Sequence, residues 1–102
     1  MAHYEDSSLG VSFDLPENPT ALQVLTYDSR RIESNDDGAL LTLWECVKPL
    51  LENWQCETLP DPRAPLNKVN GTSALKAANI VKFAAFSGAA WRLELEAVSK
   101  NS

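Results

Sequence analysis

The sequence ALKAANIVKFAAFSGAAWRLELEAVSK, residues 74–100, decides how the rest of the chain can fold. Residues 79–98 contain no proline and a single glycine, and apolar side chains recur every three or four positions. One stripe comprises Ile80, Phe83, Ala84, Ser87, Trp91, Leu95 and Val98, and a second comprises Leu75, Ala78, Val81, Ala85, Ala89, Leu93 and Ala97. A lone amphipathic helix needs less apolar surface than this. The pattern therefore predicts a long helix that is surrounded by other protein elements.

Composition predicts one small acidic domain spanning residues 1–102. The chain has 102 residues, a hydrophobic fraction of 44% and three tryptophans, which is enough for one modest core. Its net charge is −5, and its nine lysines and arginines are scattered along the chain. Duplex nucleic acids and anionic membranes both require clustered basic residues. We therefore expect protein partners, with no nucleic-acid binding and no membrane binding.

The N-terminal residues, the absence of a long apolar run and the two cysteines lead us to expect a cytoplasmic protein. The first ten residues, MAHYEDSSLG, carry early acids and no apolar segment of the kind found in signal peptides. The chain has no run of about 18 apolar residues that would suggest a membrane span. Cys46 and Cys56 are then expected to be reduced, small, half-buried apolar side chains rather than nucleophiles or ligands.

The N-terminal segment has the period of a β-strand. Val11, Phe13 and Leu15 alternate with Ser12 and Asp14, and the preceding SSLG sequence indicates a turn. We predict a β-hairpin arm over residues 1–15, with residues 2–6 as the first strand and residues 10–15 as the second.

Two helices are predicted over residues 18–54. Asn18 can cap the first, with Pro19 at its first position, and that helix is expected to run to about Glu33. The acidic segment SNDDG, residues 34–38, supplies Asp36 or Asp37 as a cap for the second helix. Its apolar period continues to Trp54 with a kink or restart expected at Pro49.

A proline-rich connector over residues 55–72 is predicted to lead into the long helix, residues 73–99. The fold class is α+β, mainly α, with three helices, a long C-terminal helix and a small N-terminal β-hairpin. The predicted core comprises Leu25, Leu40, Leu43, Trp44, Val47, Ile80, Phe83, Trp91 and Leu95.

Residues that could carry catalysis are scarce. His3 is the one histidine and lies near the start, and two separated cysteines cannot complete a zinc site of the usual spacing. The acidic pairs Glu5-Asp6 and Asp36-Asp37 lie in turn-like segments, where carboxylates are ordinarily solvated or capping. We expect no enzyme activity, no catalytic residues, no cofactor and no metal.

A protein-binding surface is expected on the second side of the long helix. Phe86, Ala89, Ala90 and Leu93 extend the apolar surface beyond the main stripe, so we predict a hydrophobic groove or a self-association face there. Trp54 precedes the proline-rich segment and could close the core or stand exposed as an interface anchor at the border of that face.

The order of these elements resembles the small tail assembly chaperones of long-tailed bacteriophages. The likeness lies in Leu15-Pro16-Glu17-x-Pro19-Thr20 opening a helix, an acidic break, a tryptophan-bearing second helix, a connector, and a long helix ending in Ser99-Lys100-Asn101-Ser102. The resemblance implies a non-catalytic helper that coats the tape-measure protein, recruits tail-tube subunits and leaves before the virion is finished. It implies no active-site residues, only an apolar helical surface.

Two other functions fit the same sequence. The chain could be a small structural component of a phage particle, such as a head-tail connector or a decoration protein. It could also be an acidic inhibitor, although its carboxylates are dispersed rather than concentrated on one face.

Overall fold

The protein is an α+β domain in which a sheet and two shorter helices pack on one long helix. The computed structural model describes residues 2–33 and 39–101. In chain order the elements are β1 (Ala2–Asp6), β2 (Val11–Leu15), α1 (Ala21–Glu33), α2 (Ala39–Val47), β3 (Glu52–Cys56) and α3 (Thr72–Asn101), with 3-10 turns at Lys48–Leu50 and Leu66–Lys68. The predicted fold class is confirmed, and a third strand pairs with the predicted hairpin to form a three-stranded sheet.

The predicted hairpin forms, with β1 and β2 antiparallel and Ala2 opposite Leu15. Gly10 has a φ of +69°, a conformation that glycine adopts without steric cost. The Asp6 carboxylate accepts hydrogen bonds from the backbone N–H groups of Ser8 and Leu9, which closes the turn. The alternating apolar residues of β2 are fully buried, so this strand supplies the side of the sheet that faces the core.

The prediction that the second helix continues to Trp54 is wrong, because α2 ends at Val47. Pro49 lacks an N–H donor, so the chain passes through a 3-10 turn and then extends at Leu51. Glu52–Cys56 pairs antiparallel with β2, giving the strand order β1-β2-β3. The register shifts beside Asn53, whose φ of +55° is tolerated better by asparagine than by most residues.

The first helix was predicted to begin at Pro19, but α1 begins two residues later, at Ala21. Thr20 Oγ1 accepts the backbone N–H of Gln23 at 3.1 Å, and Gln23 Oε1 accepts the backbone N–H of Thr20 at 2.9 Å. This reciprocal pair is a capping box, so Thr20 rather than Asn18 caps α1. The caps predicted at Asp36 and Asp37 lie outside the described residues.

The core forms around the inner side of α3. Of the predicted core residues, Trp44, Val47, Ile80 and Trp91 are buried, while Leu43, Phe83 and Leu95 are partly buried. Leu25 and Leu40 are exposed, which contradicts their predicted burial.

Leu25 is exposed because α1 turns a different side toward the core. Tyr27, only 1% exposed, lies about 200° around the helix from Leu25 and packs edge-on against Trp91 with ring centroids 5.9 Å apart. Leu40 lies in the first turn of α2, where it borders an open groove.

Hydrogen bonds attach α1 and its entry segment to α3. The indole N–H of Trp91 donates to the Pro16 carbonyl at 2.7 Å. Arg92 donates from Nε and Nη2 to the two oxygens of Asp28, each at 2.9 Å, and from Nη1 to Glu96. This two-point pairing lowers the pKa of Asp28, chiefly through the Arg92 hydrogen bonds.

α2 approaches α3 closely at Gly88. A Cβ atom placed on Gly88 would lie 2.6 Å from Val47 Cγ2 and 2.9 Å from Val47 Cβ. Val47 is fully buried, and a valine in a helix has little rotamer freedom. The contact therefore requires a residue without a side chain at position 88.

Gly88→Ala should lower the free energy of unfolding by about 1–3 kcal/mol, because overpacking at Val47 outweighs the usual helical advantage of alanine. Denaturant unfolding followed by circular dichroism measures the change. In a Val47→Ala background the cost should fall, since only the contact with Cβ at 2.9 Å remains. A stabilising effect of Gly88→Ala in the wild-type background would show that α2 is not held against this position.

Candidate protein-binding surfaces

The side of α3 that faces away from the core is apolar and exposed. Phe86 is 51% exposed and Leu93 is 69% exposed, although both belong to a helix whose opposite side is buried. We call this side the outer face and define it by Leu75, Lys82, Phe86, Ala89, Ala90, Leu93 and Ala97. Apart from the adjacent pair Ala89 and Ala90, these residues recur at steps of three, four or seven, so helical geometry aligns them in one band.

The structure brings four of the five predicted binding residues together on the outer face. Phe86, Ala90 and Leu93 are exposed, and Ala89 is half-buried. Exposed large apolar side chains grouped on one helix face are typical of protein interfaces.

Trp54, the fifth predicted binding residue, packs against the core. It lies in β3, where its ring stacks on Phe13 with centroids 5.6 Å apart and tilts against Trp44 at 6.1 Å. Its indole N–H donates to the Leu59 carbonyl at 2.7 Å. Because its ring and its polar atom already have partners inside the domain, we do not include Trp54 in the binding surface.

A second apolar surface, which the sequence reading missed, is a groove between α2 and the first half of α3. Its volume is about 340 Å³. We call it the α2–α3 groove; its lining residues are Leu40, Leu41, Leu66, Val69, Ala74, Ala77, Ala78, Val81 and Lys82. Of these described residues, only Lys82 is charged.

Three separate segments form the walls of the α2–α3 groove, and α3 is the one that contributes the most residues. Leu40 and Leu41 come from the start of α2, and Leu41 is 59% exposed. Leu66 begins the 3-10 turn that follows Pro65, and Val69 is the residue directly after that turn. The spacing of three between Leu66 and Val69 matches the period of a 3-10 turn, and it is a sequence signal for order within the predicted connector.

The single histidine belongs to a polar cluster that joins all three strands. His3 Nδ1 lies 2.7 Å from Asp14 Oδ1, and Nε2 lies 3.3 Å from Glu5 Oε1. Asn53 donates to the other oxygen of Asp14 at 2.7 Å. The hydrogen bonds with Asp14 and Glu5 raise the pKa of His3, whereas those from Asn53 and His3 lower the pKa of Asp14. The geometry is that of a strand-to-strand bridge.

The two cysteines are free thiols in different surroundings. Cys46 is buried, and this burial raises the pKa of its thiol, which disfavours the reactive thiolate. Cys56 Sγ accepts the backbone N–H of Leu59 at 3.4 Å, at the turn that follows β3.

Within residues 2–33 and 39–101, no group of three or more histidine, cysteine, aspartate or glutamate side chains could hold a metal ion. No helix in this described part of the chain is long and apolar enough to cross a membrane.

Comparisons of the chain with protein-family models, with curated proteins and with solved structures give no match.

The His3 cluster predicts a pH-dependent strand contact. Because folding raises the pKa of His3, its contribution to stability is complete below about pH 6.5, the unfolded value, and is lost as the pH rises through the folded value. Titration of the His3 ring followed by NMR should give a pKa above that of a model peptide.

Asp14→Asn should move the His3 pKa back toward 6.5 by more than Glu5→Gln does, because the Asp14 hydrogen bond is the larger cause. An unshifted His3 pKa in the wild-type chain would contradict the bridge.

Proposed function

We propose that this chain is a non-catalytic protein-binding domain that acts in the host cytoplasm as a tail assembly chaperone of a long-tailed bacteriophage. Its clients are apolar segments of the tape-measure protein, and it also recruits tail-tube subunits. The observation that supports this proposal is the open α2–α3 groove, and the phage assignment follows from the resemblance of the element order to that family.

The α2–α3 groove has the chemistry of a receptor for an apolar helix. Leucine and valine side chains line it on the sides formed by α2 and by residues 66–69, and the small residues Ala74, Ala77 and Ala78 lie on the α3 side. A helix with apolar residues at i, i+3 or i+4, and i+7 can place them in such a groove. Removing this apolar surface from water stabilises the complex by about 25 cal/mol per Å² before the costs of association.

The inner wall of the groove is held by the core. Ala77 and Val81 are only 3% and 6% exposed, so they belong both to the groove and to the packed side of α3. A client segment would therefore meet a wall that needs little reorganisation, which reduces the entropic cost of binding.

Lys82 favours a client segment that carries an acidic residue beside its apolar stripe. Among the described residues that line the groove, Lys82 is the one that carries a charge, and its side chain is exposed. A carboxylate on the client could pair with it at the rim, where such a pair fixes orientation more than it adds affinity.

The small size of the groove favours transient binding. A groove of about 340 Å³ accepts only one short segment, which buries a far smaller surface than the extended contacts of permanent subunit interfaces. Release before completion of the particle requires such reversible contacts, so this observation favours the chaperone over a retained structural component.

Co-expression with the tape-measure protein tests the proposal. A very long reading frame directly downstream of the gene would encode the expected client. We expect this client to be soluble and to co-purify when co-expressed with the wild-type chain, and to precipitate when expressed alone. Leu41→Asp should reduce the recovered complex by at least about tenfold, because it places a charge in the apolar wall.

Leu22→Asp is the matched control, since Leu22 is 74% exposed on α1 and does not line the groove. Equal recovery of complex with the wild-type, Leu41→Asp and Leu22→Asp chains would exclude the groove as the client site. Detection of the chain in finished particles at a symmetric copy number would replace the chaperone proposal with the structural-component alternative.

A further inference from the structure

The outer face of α3 remains uncovered when a client occupies the α2–α3 groove. Its central residues are Phe86, Ala89, Ala90 and Leu93, and none of them lines the groove. The two surfaces meet at Lys82, which lines the groove and also belongs to the outer face. A partner on the outer face therefore requires a separate explanation from the client.

We propose that a second copy of this chain covers the outer face, so that two α3 helices pair antiparallel about a two-fold axis between Ala89 and Ala90. Such an interface is isologous, meaning that the same residues contribute from both copies. It goes beyond the proposed chaperone activity, and it holds or fails independently of the client.

The sequence of the outer face is self-complementary in this register. When two identical helices run antiparallel about a point between residues 89 and 90, residue 86 of one lies opposite residue 93 of the other. Phe86 then packs on Leu93 of the second copy, and this contact occurs twice. Ala89 and Ala90 lie at the axis, where small side chains let two helices approach to about 8 Å.

The charges agree with the antiparallel direction. Lys82 and Glu96 lie on the same flank of the outer face, about 11 and 10 Å from the axis on opposite sides along the helix. The two-fold operation therefore places Lys82 beside Glu96 of the second copy, again twice. Glu96 is 49% exposed, and its Oε2 accepts a hydrogen bond from Arg92 Nη1 at 3.1 Å.

A parallel in-register pair lacks this contact. Lys82 and Glu96 are separated by about 21 Å along the helix axis, so a parallel pair cannot bring Lys82 of one copy beside Glu96 of the other. The charge pattern therefore selects the antiparallel arrangement from the two ways in which identical helices could pair.

Sedimentation equilibrium of the purified full chain tests the pairing directly. We expect a reversible monomer–dimer equilibrium with a dissociation constant in the micromolar range, as is typical of small interfaces. Phe86→Asp and Leu93→Asp should each weaken dimerisation by at least about fiftyfold while the helical circular-dichroism signal persists, because each buries a carboxylate in an apolar contact. A wild-type chain that stays monomeric up to about 200 µM would overturn the proposal.

A charge exchange tests the register. Lys82→Glu and Glu96→Lys should each weaken self-association by about tenfold, since each converts two attractive contacts into repulsive ones. An equimolar mixture of these two variants should dimerise at least as tightly as the wild type, because every contact between position 82 and position 96 then joins opposite charges. If the mixture of the two variants dimerises no more tightly than either variant alone, the antiparallel register is contradicted.

Two further variants separate this proposal from the chaperone function. Leu41→Asp, in the groove, should retain wild-type dimerisation, and Phe86→Asp should retain client binding. If Leu41→Asp abolishes the dimer, then the groove rather than the outer face joins the two copies and the proposal fails. If Phe86→Asp unfolds the chain, the Lys82 and Glu96 variants, whose side chains are outside the core, still decide the outcome.

Discussion

The close contact between Val47 and Gly88 is the constraint on which most of the structure depends. It holds the end of α2 against the middle of α3, at the point where Pro49 forces the chain out of helical conformation. The chain therefore leaves α2 beside the core and returns as β3 along the free edge of β2. The contact thus helps to fix the point at which the chain leaves α2, and pairing with β2 sets the register of β3.

The same packing explains why α3 has two unlike sides. Its inner side, from Ala77 to Trp91, is filled by α1, α2 and the sheet, and the small residues there allow close approach. The described elements do not extend around the rest of the helix, so Phe86 and Leu93 stay exposed. Exposing aromatic and aliphatic side chains to water costs free energy, and burying them against a partner removes that cost. The exposed apolar side chains of α3 therefore add little to folding stability, which is consistent with the proposed role of this face in self-association.

The polar contacts have a different role, which is to fix positions. The Trp91 indole and the Arg92 guanidinium attach the entry and the body of α1 to α3 through directional hydrogen bonds. Tyr27 between them is almost fully buried, and its hydroxyl has no hydrogen-bond partner among the described residues. Apolar packing at the ring therefore outweighs the cost of that unpaired group.

Local sequence was sufficient wherever a single segment carried its own signal. The period of three to four in α3, the alternation in β2 and the turn before Val11 are properties of neighbouring residues, so the long helix and the hairpin could be predicted. The outer face was predictable for the same reason, since one helix supplies all its residues. Leu51 and Trp54, by contrast, fit both a helical stripe and a strand, and their residue types alone do not distinguish the two.

Tertiary structure decided everything that required distant segments to meet. Whether residues 52–56 form a strand depends on the open edge of β2, which lies about 40 residues earlier in the chain. The α2–α3 groove exists only because Leu41, Leu66 and Ala78 converge from three segments. The exposure of Leu25 follows from the rotation of α1 about its axis, which Tyr27 and Trp91 set through their contact. The sequence by itself determined which helix is long and apolar, while packing determined which of its sides stays exposed, because burial is a property of the assembled chain rather than of any one segment.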